Sequence, residues 1–483
     1  MLLILASLLG TALITFLIFL FQPLVGIVLA LIVVCGLVAL KYPFLGTLGY
    51  LFTVGFVALF NFPITNDGLK LSTVILMGTF LTYIVLYLWS HDWTPLKLIV
   101  SRPEHLIVLL FFIAVIVSVK NTEDLGQAIK GVKQFSYCVF AYFLAIFSIR
   151  SKKQLDWAVW IVVISGVIIG LCGVREMVSE NLYKTLNYTS IFGAKLSYSL
   201  EKYSQNRING LVADGDLHGA YMATVFMFSF FLFFKVKPFW QKGFLIFAMV
   251  LAFFNIFGAA ARGAVLGFTI MITVWWCVWD GKQKVLKAAL VGIGAILFIS
   301  VMVMSTDLEI DRVYSSPEGV SSRTIDLRLT LWEMGSIMFQ DKPILGHGPN
   351  GFDIEYFPTV YKASSLARKS TRFDVMNVYV EVAVSYGLVG IVIYGSFILF
   401  ILYRQIILVR FLRGPYRSLA FSLLAMWCGY SVFVCTSGHL VDLIYWEIPM
   451  FTVVLDMLFE KEIAAARAAR KGEPAPMIPA PTA

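Results

Sequence analysis

Charge is scarce in this chain. Of 483 residues only 14% are Asp, Glu, Lys or Arg and only five are His, against 59% apolar and 15% aromatic residues. An ordinary soluble domain carries about 25% charged residues, so a water-soluble globular fold is excluded and a polytopic membrane protein is expected. Cysteine is sparse and unpatterned. Cys35, Cys138, Cys172, Cys277, Cys428 and Cys435 all fall inside apolar runs, without the paired spacing of a metal site, and read as small residues of the spans. There is no acidic pair with metal-ligand spacing. No internal repeat is evident, which argues against transporter folds built on inverted repeats. The first apolar run, Leu2 to Phe21, lacks a basic leading region and a small-residue cleavage site, so it reads as a retained span and not a signal peptide.

The formal charge is +9, but the basic residues come in small groups between apolar runs, a pattern that membrane topology explains without nucleic acid. A span needs about 17–25 mainly apolar residues. Candidates fall at 2–21, 24–40, 44–60, 71–90, 105–119, 135–149, 155–175, 218–234, 243–258, 263–279, 286–304, 378–403, 418–436 and 440–459. The expected fold is therefore all-α, a transmembrane helical bundle of about 12–14 spans. Alternate connections hold Lys41; Lys97 and Arg102; Arg150, Lys152 and Lys153; Lys235, Lys237 and Lys242; Lys282, Lys284 and Lys287; and Arg404, Arg410, Arg413 and Arg417. By the positive-inside rule this set is cytoplasmic, and both termini with it. The expected organisation is an N-terminal bundle (1–175), a first outer loop (176–217), central spans (218–304), a large outer loop (305–377), C-terminal spans (378–459) and a cytoplasmic tail (460–483), disordered at its end and able to touch membrane lipids.

The most polar stretch, Ser321 to Gly390, thus lies outside, between apolar spans. Leu327 to Phe339 reads as an amphipathic helix ended by Asp341-Lys342-Pro343. On it Arg328 and Trp332, four apart, share a face, whereas Arg323 and Arg328, five apart, share one poorly. Arg372 adds a further cation. His347 sits in a glycine turn where backbone amides can approach a ligand, or where it is simply a turn residue. Asn377 and Glu381 project from one face at the start of the next span. Glu381 reads either as a partner for an arginine or as a base. Two other outer features bear cations. Arg262 opens a span with no acidic neighbour and reads as an interfacial arginine or as a phosphate ligand. Arg207 precedes Asp214, Asp216 and His218, where the acids fit a helix cap and the histidine an interface position as well as a site. His439 and Asp442, at another outer turn, are second-tier candidates.

In this order the motifs resemble those of bacterial O-antigen ligases and O-antigen polymerases. They are Arg207-x-x-Gly210 with Asp214 and Asp216, then Arg262-Gly263, then Arg328-x-x-x-Trp332. Pro343-Ile344-x-Gly346-x-Gly348 with Phe352 follows, and last Asn377-x-Tyr379-x-Glu381 before Gly387-Leu388-x-Gly390. The resemblance implies a membrane glycosyltransferase of GT-C-like type with a periplasmic site, in the bacterial inner membrane. Its substrates would be an undecaprenyl-pyrophosphate-linked glycan and an acceptor glycan or lipid, with no metal or nucleotide sugar, and other polysaccharide-assembly proteins as partners. It implies pyrophosphate-binding roles for Arg207, Arg262 and Arg328, with Arg323, Arg372, Asn377, Tyr379 and His439 around them. The ligases usually carry a histidine before the asparagine of the last motif, where this chain has Met376, so the base is sought among His347, His218 and Glu381. Rival readings are a transporter of a lipid-linked or anionic solute and a non-catalytic scaffold.

Overall fold

The computed structural model describes residues 41–56, 61–62, 69–91, 94–178, 208, 210–212, 214–279, 321–352, 375–438, 440 and 442–471. It is all-α apart from a two-residue antiparallel pair, β1 (Asn61–Phe62) with β2 (Leu69–Lys70). The α-helices are α1 (Pro43–Thr53), α2 (Leu71–Ser90), α3 (Thr94–Ser101), α4 (Pro103–Ser118), α5 (Leu125–Ser148), α6 (Lys152–Val178) and α7 (Gly215–Lys235). They continue with α8 (Phe239–Gly258), α9 (Arg262–Trp279), α10 (Ser321–Asp341), α11 (Val378–Phe411), α12 (Tyr416–Phe433), α13 (Leu443–Leu458) and α14 (Glu460–Lys471). Among the described residues, seven helices are long and apolar enough to cross a membrane, namely α2, α4 to α8 and α11. The expected spans at 2–21, 24–40 and 286–304 lie outside the described residues.

The chain forms two compact units. In the first (residues 1–97, 140–229 and 239–260), small residues let helices approach. Gly166 faces Val225, and Gly170 faces Leu251 and Asn255. Tyr221 Oη donates to Ser165 Oγ (3.1 Å), whose hydroxyl donates to the Phe52 carbonyl (2.8 Å), so buried polar atoms are paired as an apolar setting demands.

The second unit (98–139, 230–238 and 261–483) is organised by a break in α11. Gly387 has φ 63° and ψ −157°, a backbone conformation essentially reserved for glycine. The break strips the Val384 and Ser385 carbonyls and the Leu388 and Val389 amides of helical partners, which costs several kcal/mol per group in an apolar setting. The turn Pro343–Gly348 supplies the partners. His347 N donates to Val384 O (2.9 Å), Gly348 N to Ser385 O (3.0 Å), Leu388 N to Pro343 O (2.7 Å) and Val389 N to Ile344 O (3.2 Å). The turn is gripped on its other side by the α4–α5 connection, where Lys342 Nζ donates to Asn121 O (3.0 Å) and Asn121 Nδ2 to Gly346 O (3.0 Å). A Cβ on Gly131 would meet Pro349 and Asn350. A clasp results, joining three distant segments of chain.

At the far end of α11 an ion network ties four helix termini together. Arg102 pairs with Asp456 (2.9 Å), Glu460 (2.6 Å) and Glu104 (3.3 Å), while Arg404 pairs with Glu104 (3.2 Å) and Asp456 (3.3 Å). Burial disfavours the charged Arg102 guanidinium, but Glu460, Asp456 and Glu104 outweigh it and hold its pKa above the ordinary arginine value. Arg102→Ala is expected to cost about 3–5 kcal/mol, the effect of breaking a buried pair and stranding its carboxylates. A fall in the thermal midpoint of the solubilised protein measures it.

Within each unit the described connections sort to two ends. In the second, residues 119–122, 343–352 and the clasp lie at one end, and Arg102, Arg404 and Glu460 at the other. In the first, Glu176, Gly210, Ile208 and Gly258 meet at one end, whereas Tyr87 and Arg150 meet at the other.

Candidate active site

The start of α11 is built from the NVYVE segment. Asn377 caps the helix, its Oδ1 accepting from Tyr379 N (3.0 Å) and Val380 N (3.3 Å). Glu381 falls in the first turn, where the helix dipole favours a carboxylate. Val378 N donates to Val434 O (3.0 Å) and Tyr379 Oη to Ser431 O (3.0 Å), which seats this turn on the end of α12. Met376, in the place the resemblance gives to histidine, has φ 52°, a sparsely occupied conformation for a side chain of its size. Val375 beside it is buried with Leu331, Met334, Met338, Phe352 and Val384.

Helix α10 lies on α11 because Gly335 leaves room for Val380 and Val384. It covers the amphipathic segment expected from 327 to 339 and continues beyond it at both ends. Arg328 and Trp332 are half-buried, Trp332 packed against the cluster around Val375, and the buried Arg328 Nε and Trp332 Nε1 both lack a hydrogen-bond acceptor among the described residues. Two N–H donors one turn apart are thus left to be satisfied by something else. Arg262 is the first residue of α9, exposed, and has no carboxylate partner among the described residues. Gly263 brings that helix start against Thr436, next to the same α12 end that seats Val378. Farther along, Gly267 and Gly429 bring the backbones of α9 and α12 together. The second unit thereby gathers Arg262, Asn377, Tyr379 and Glu381 around one helix end, with the face of Arg328 and Trp332 on the helix packed beside them.

The two histidines have other engagements. His347 is buried, and its Nε2 donates to the Met338 carbonyl at the end of α10 (2.8 Å). Its own amide and that of Gly348 are committed to the clasp, so these two glycine-turn amides do not face a ligand. In the first unit, His218 is fully buried and its Nε2 donates to Asn255 Oδ1 (3.0 Å), the orientation fixed because Asn255 Nδ2 donates to Gly170 O (3.1 Å) and Leu251 O (2.8 Å). At Gly210, with φ 54°, a Cβ would meet the imidazole, and its amide donates to Glu176 (2.8 Å). Asp214 Oδ1 accepts from Asp216 N (2.7 Å) and Leu217 N (3.1 Å), as a cap of α7 does. Arg207, Arg372 and His439 lie outside the described residues. Arg323 is placed on α10, but its side chain is not described.

What the sequence did not point to was the use of Asn377 as a cap, the orphan donor on Trp332, and Asn121 as an anchor of the His347 turn. Only the first has a sequence signal, an asparagine directly before a helical run.

Residues 247–395 match the family model described as O-antigen ligase. That range includes Arg262, Arg328, His347, Asn377, Glu381 and Gly387, and leaves out Arg207, His218 and His439. An uncharacterized protein of Haemophilus influenzae is 26% identical over 157 residues, covering 30% of this chain and 39% of that protein. The chain thus spans about two fifths of the length of this curated relative. The segment that holds Arg262, Arg328, the Pro343–Gly348 turn and the α11 break is thus similar to the O-antigen ligase family, in a polytopic all-α membrane protein.

Proposed function

We propose that this protein transfers a glycan from an undecaprenyl-pyrophosphate carrier to an acceptor hydroxyl at the periplasmic face of the bacterial inner membrane. The observation that carries the reading is the pair of orphan donors, Arg328 Nε and Trp332 Nε1, in the same family segment as the unpaired Arg262. A leaving lipid pyrophosphate gains negative charge as the glycosidic bond breaks. Guanidinium and indole N–H groups held in place stabilise that charge without reorganisation. Arg207, Arg323 and Arg372 join them in this reading, with His439 and Tyr379 at the rim. The end of each unit with the fewer basic connections is then periplasmic, and the Arg102 end cytoplasmic.

The acceptor hydroxyl must lose its proton as its oxygen bonds to the anomeric carbon. We assign that proton to Glu381, half-buried in the first turn of α11. Both histidines weighed for the task are already donating from buried Nε2 atoms. His347→Gln keeps an N–H able to reach the Met338 carbonyl. It is expected to retain transfer within about threefold, whereas loss of a general base costs about 10²–10⁴-fold.

The reaction itself is tested with purified protein in liposomes, a lipid-pyrophosphate-linked glycan and acceptor. Release of free carrier pyrophosphate together with an elongated or ligated glycan is expected. Movement of the substrate across the bilayer with every bond intact would mean a transporter, and no change at all a scaffold.

A further inference from the structure

At the Arg102 end of the second unit lies a cavity of about 460 Å³, far along α11 from the residues assigned to transfer. Its charged lining comes from Arg102, Arg404, Asp456, Glu460 and Arg467, and its apolar wall includes Leu98, Met457 and Ile463. Most of the charge is already spent, because Arg102 and Arg404 hold Glu104 and Asp456 between them. Two cationic donors remain. Arg404 Nε is buried and has no hydrogen-bond partner among the described residues. Arg467 stacks its guanidinium over the Phe411 ring at 5.4 Å and makes no ion pair among the described residues. A stacked guanidinium keeps its N–H edge open, the geometry that suits a phosphate. A third donor is lightly held, since the Glu460 carboxylate on Arg102 Nη2 is 62% exposed and can swing into water.

We infer that this cavity binds the phosphodiester headgroup of an anionic phospholipid, which takes the place of the Glu460 carboxylate on Arg102 and also engages Arg404 Nε and Arg467. A phosphate alone would satisfy the donors. A lipid is favoured because the cavity lies at the ends of the apolar helices α4 and α11, with an apolar wall to receive the glycerol and upper acyl chains. Helix α14, with Ile463 buried and Glu460, Lys461, Glu462 and Arg470 exposed, lies along this end as an interfacial helix does. Arg410, Arg413 and Arg417 attract anionic lipid generally but do not line the cavity.

The test compares full-length protein from phosphatidylcholine vesicles with and without phosphatidylglycerol, counting retained phosphatidylglycerol by native mass spectrometry. One retained lipid per chain is expected. Arg467→Ala should weaken retention about tenfold, the loss of one charge-assisted hydrogen bond. Glu460→Gln should strengthen it by freeing Arg102. Arg470→Ala removes the same charge from the exposed face of the same helix and should leave retention unchanged. Equal losses in Arg467→Ala and Arg470→Ala would reduce the effect to general surface attraction and overturn the site. Displacement of the lipid by inorganic phosphate at equal concentration would overturn the lipid as occupant. Transfer activity is not the readout, so the outcome is independent of the function proposed above.

Discussion

Arg328→Ala and Arg262→Ala will each lower glycan transfer by roughly a hundredfold to a thousandfold, the cost of removing one preorganised donor from a developing anion. Lysine will not restore activity at Arg328. An ammonium carries the charge, but it lacks the planar fork and the Nε–H that Arg328 offers one turn from the Trp332 indole. At Arg262, exposed on the first turn of α9, lysine should recover part of the rate. Polymer or glycoconjugate produced per unit of membrane-inserted protein is the measurement. Normal amounts from both alanine variants at normal abundance would remove the arginines from the mechanism. Because neither arginine is tied into an ion pair among the described residues, the loss should fall on turnover and not on folding.

Gly387→Ala will act in the opposite way, on folding first. A Cβ at this position forces a glycine-only conformation on alanine, at about 1–3 kcal/mol. It also lands within 2.5 Å of the Ile344 carbonyl carbon and oxygen, backbone atoms that the clasp holds in place. Gly346→Ala meets the mirror of this problem, its Cβ facing the Tyr386 amide at 2.5 Å. Both variants should insert poorly or melt several degrees lower in detergent, as a stability loss of this size implies. Wild-type melting and abundance in both would show that the clasp is not what holds α11 in its broken form.

The outline of the fold was legible because lipid imposes a simple code. Leu71–Ser90 was delimited by hydropathy alone, and the amphipathic period of residues 327–339 marked α10 correctly. The break in α11 was hidden for the same reason that the span was visible, since GLVGIVIYG reads as continuous apolar sequence and nothing local tells a bent helix from a straight one. The engagements of His347 and Arg102 were hidden by distance. Arg102 meets Asp456 across 354 positions and Glu460 across 358, and no window of sequence holds both partners. In the candidate site, Arg262 was recognisable as a charge without an acidic neighbour and Arg328 by the face that it shares with Trp332. The orphaned indole of Trp332 was not, because a donor is orphaned only by the packing around it.

The clasp also dates the site within the life of the chain. Asn121 and Gly346 are 225 residues apart, and at about 5–20 residues per second synthesis separates them by roughly 10–45 s. Throughout that interval α4 and α5 stand in the membrane without the turn that α11 requires, and the NVYVE segment is still unmade. The candidate site is therefore assembled after most of the bundle has been inserted. A truncated or stalled chain bears no half-built version of it, because its carboxylate turn and its anchoring turn are delivered together and late.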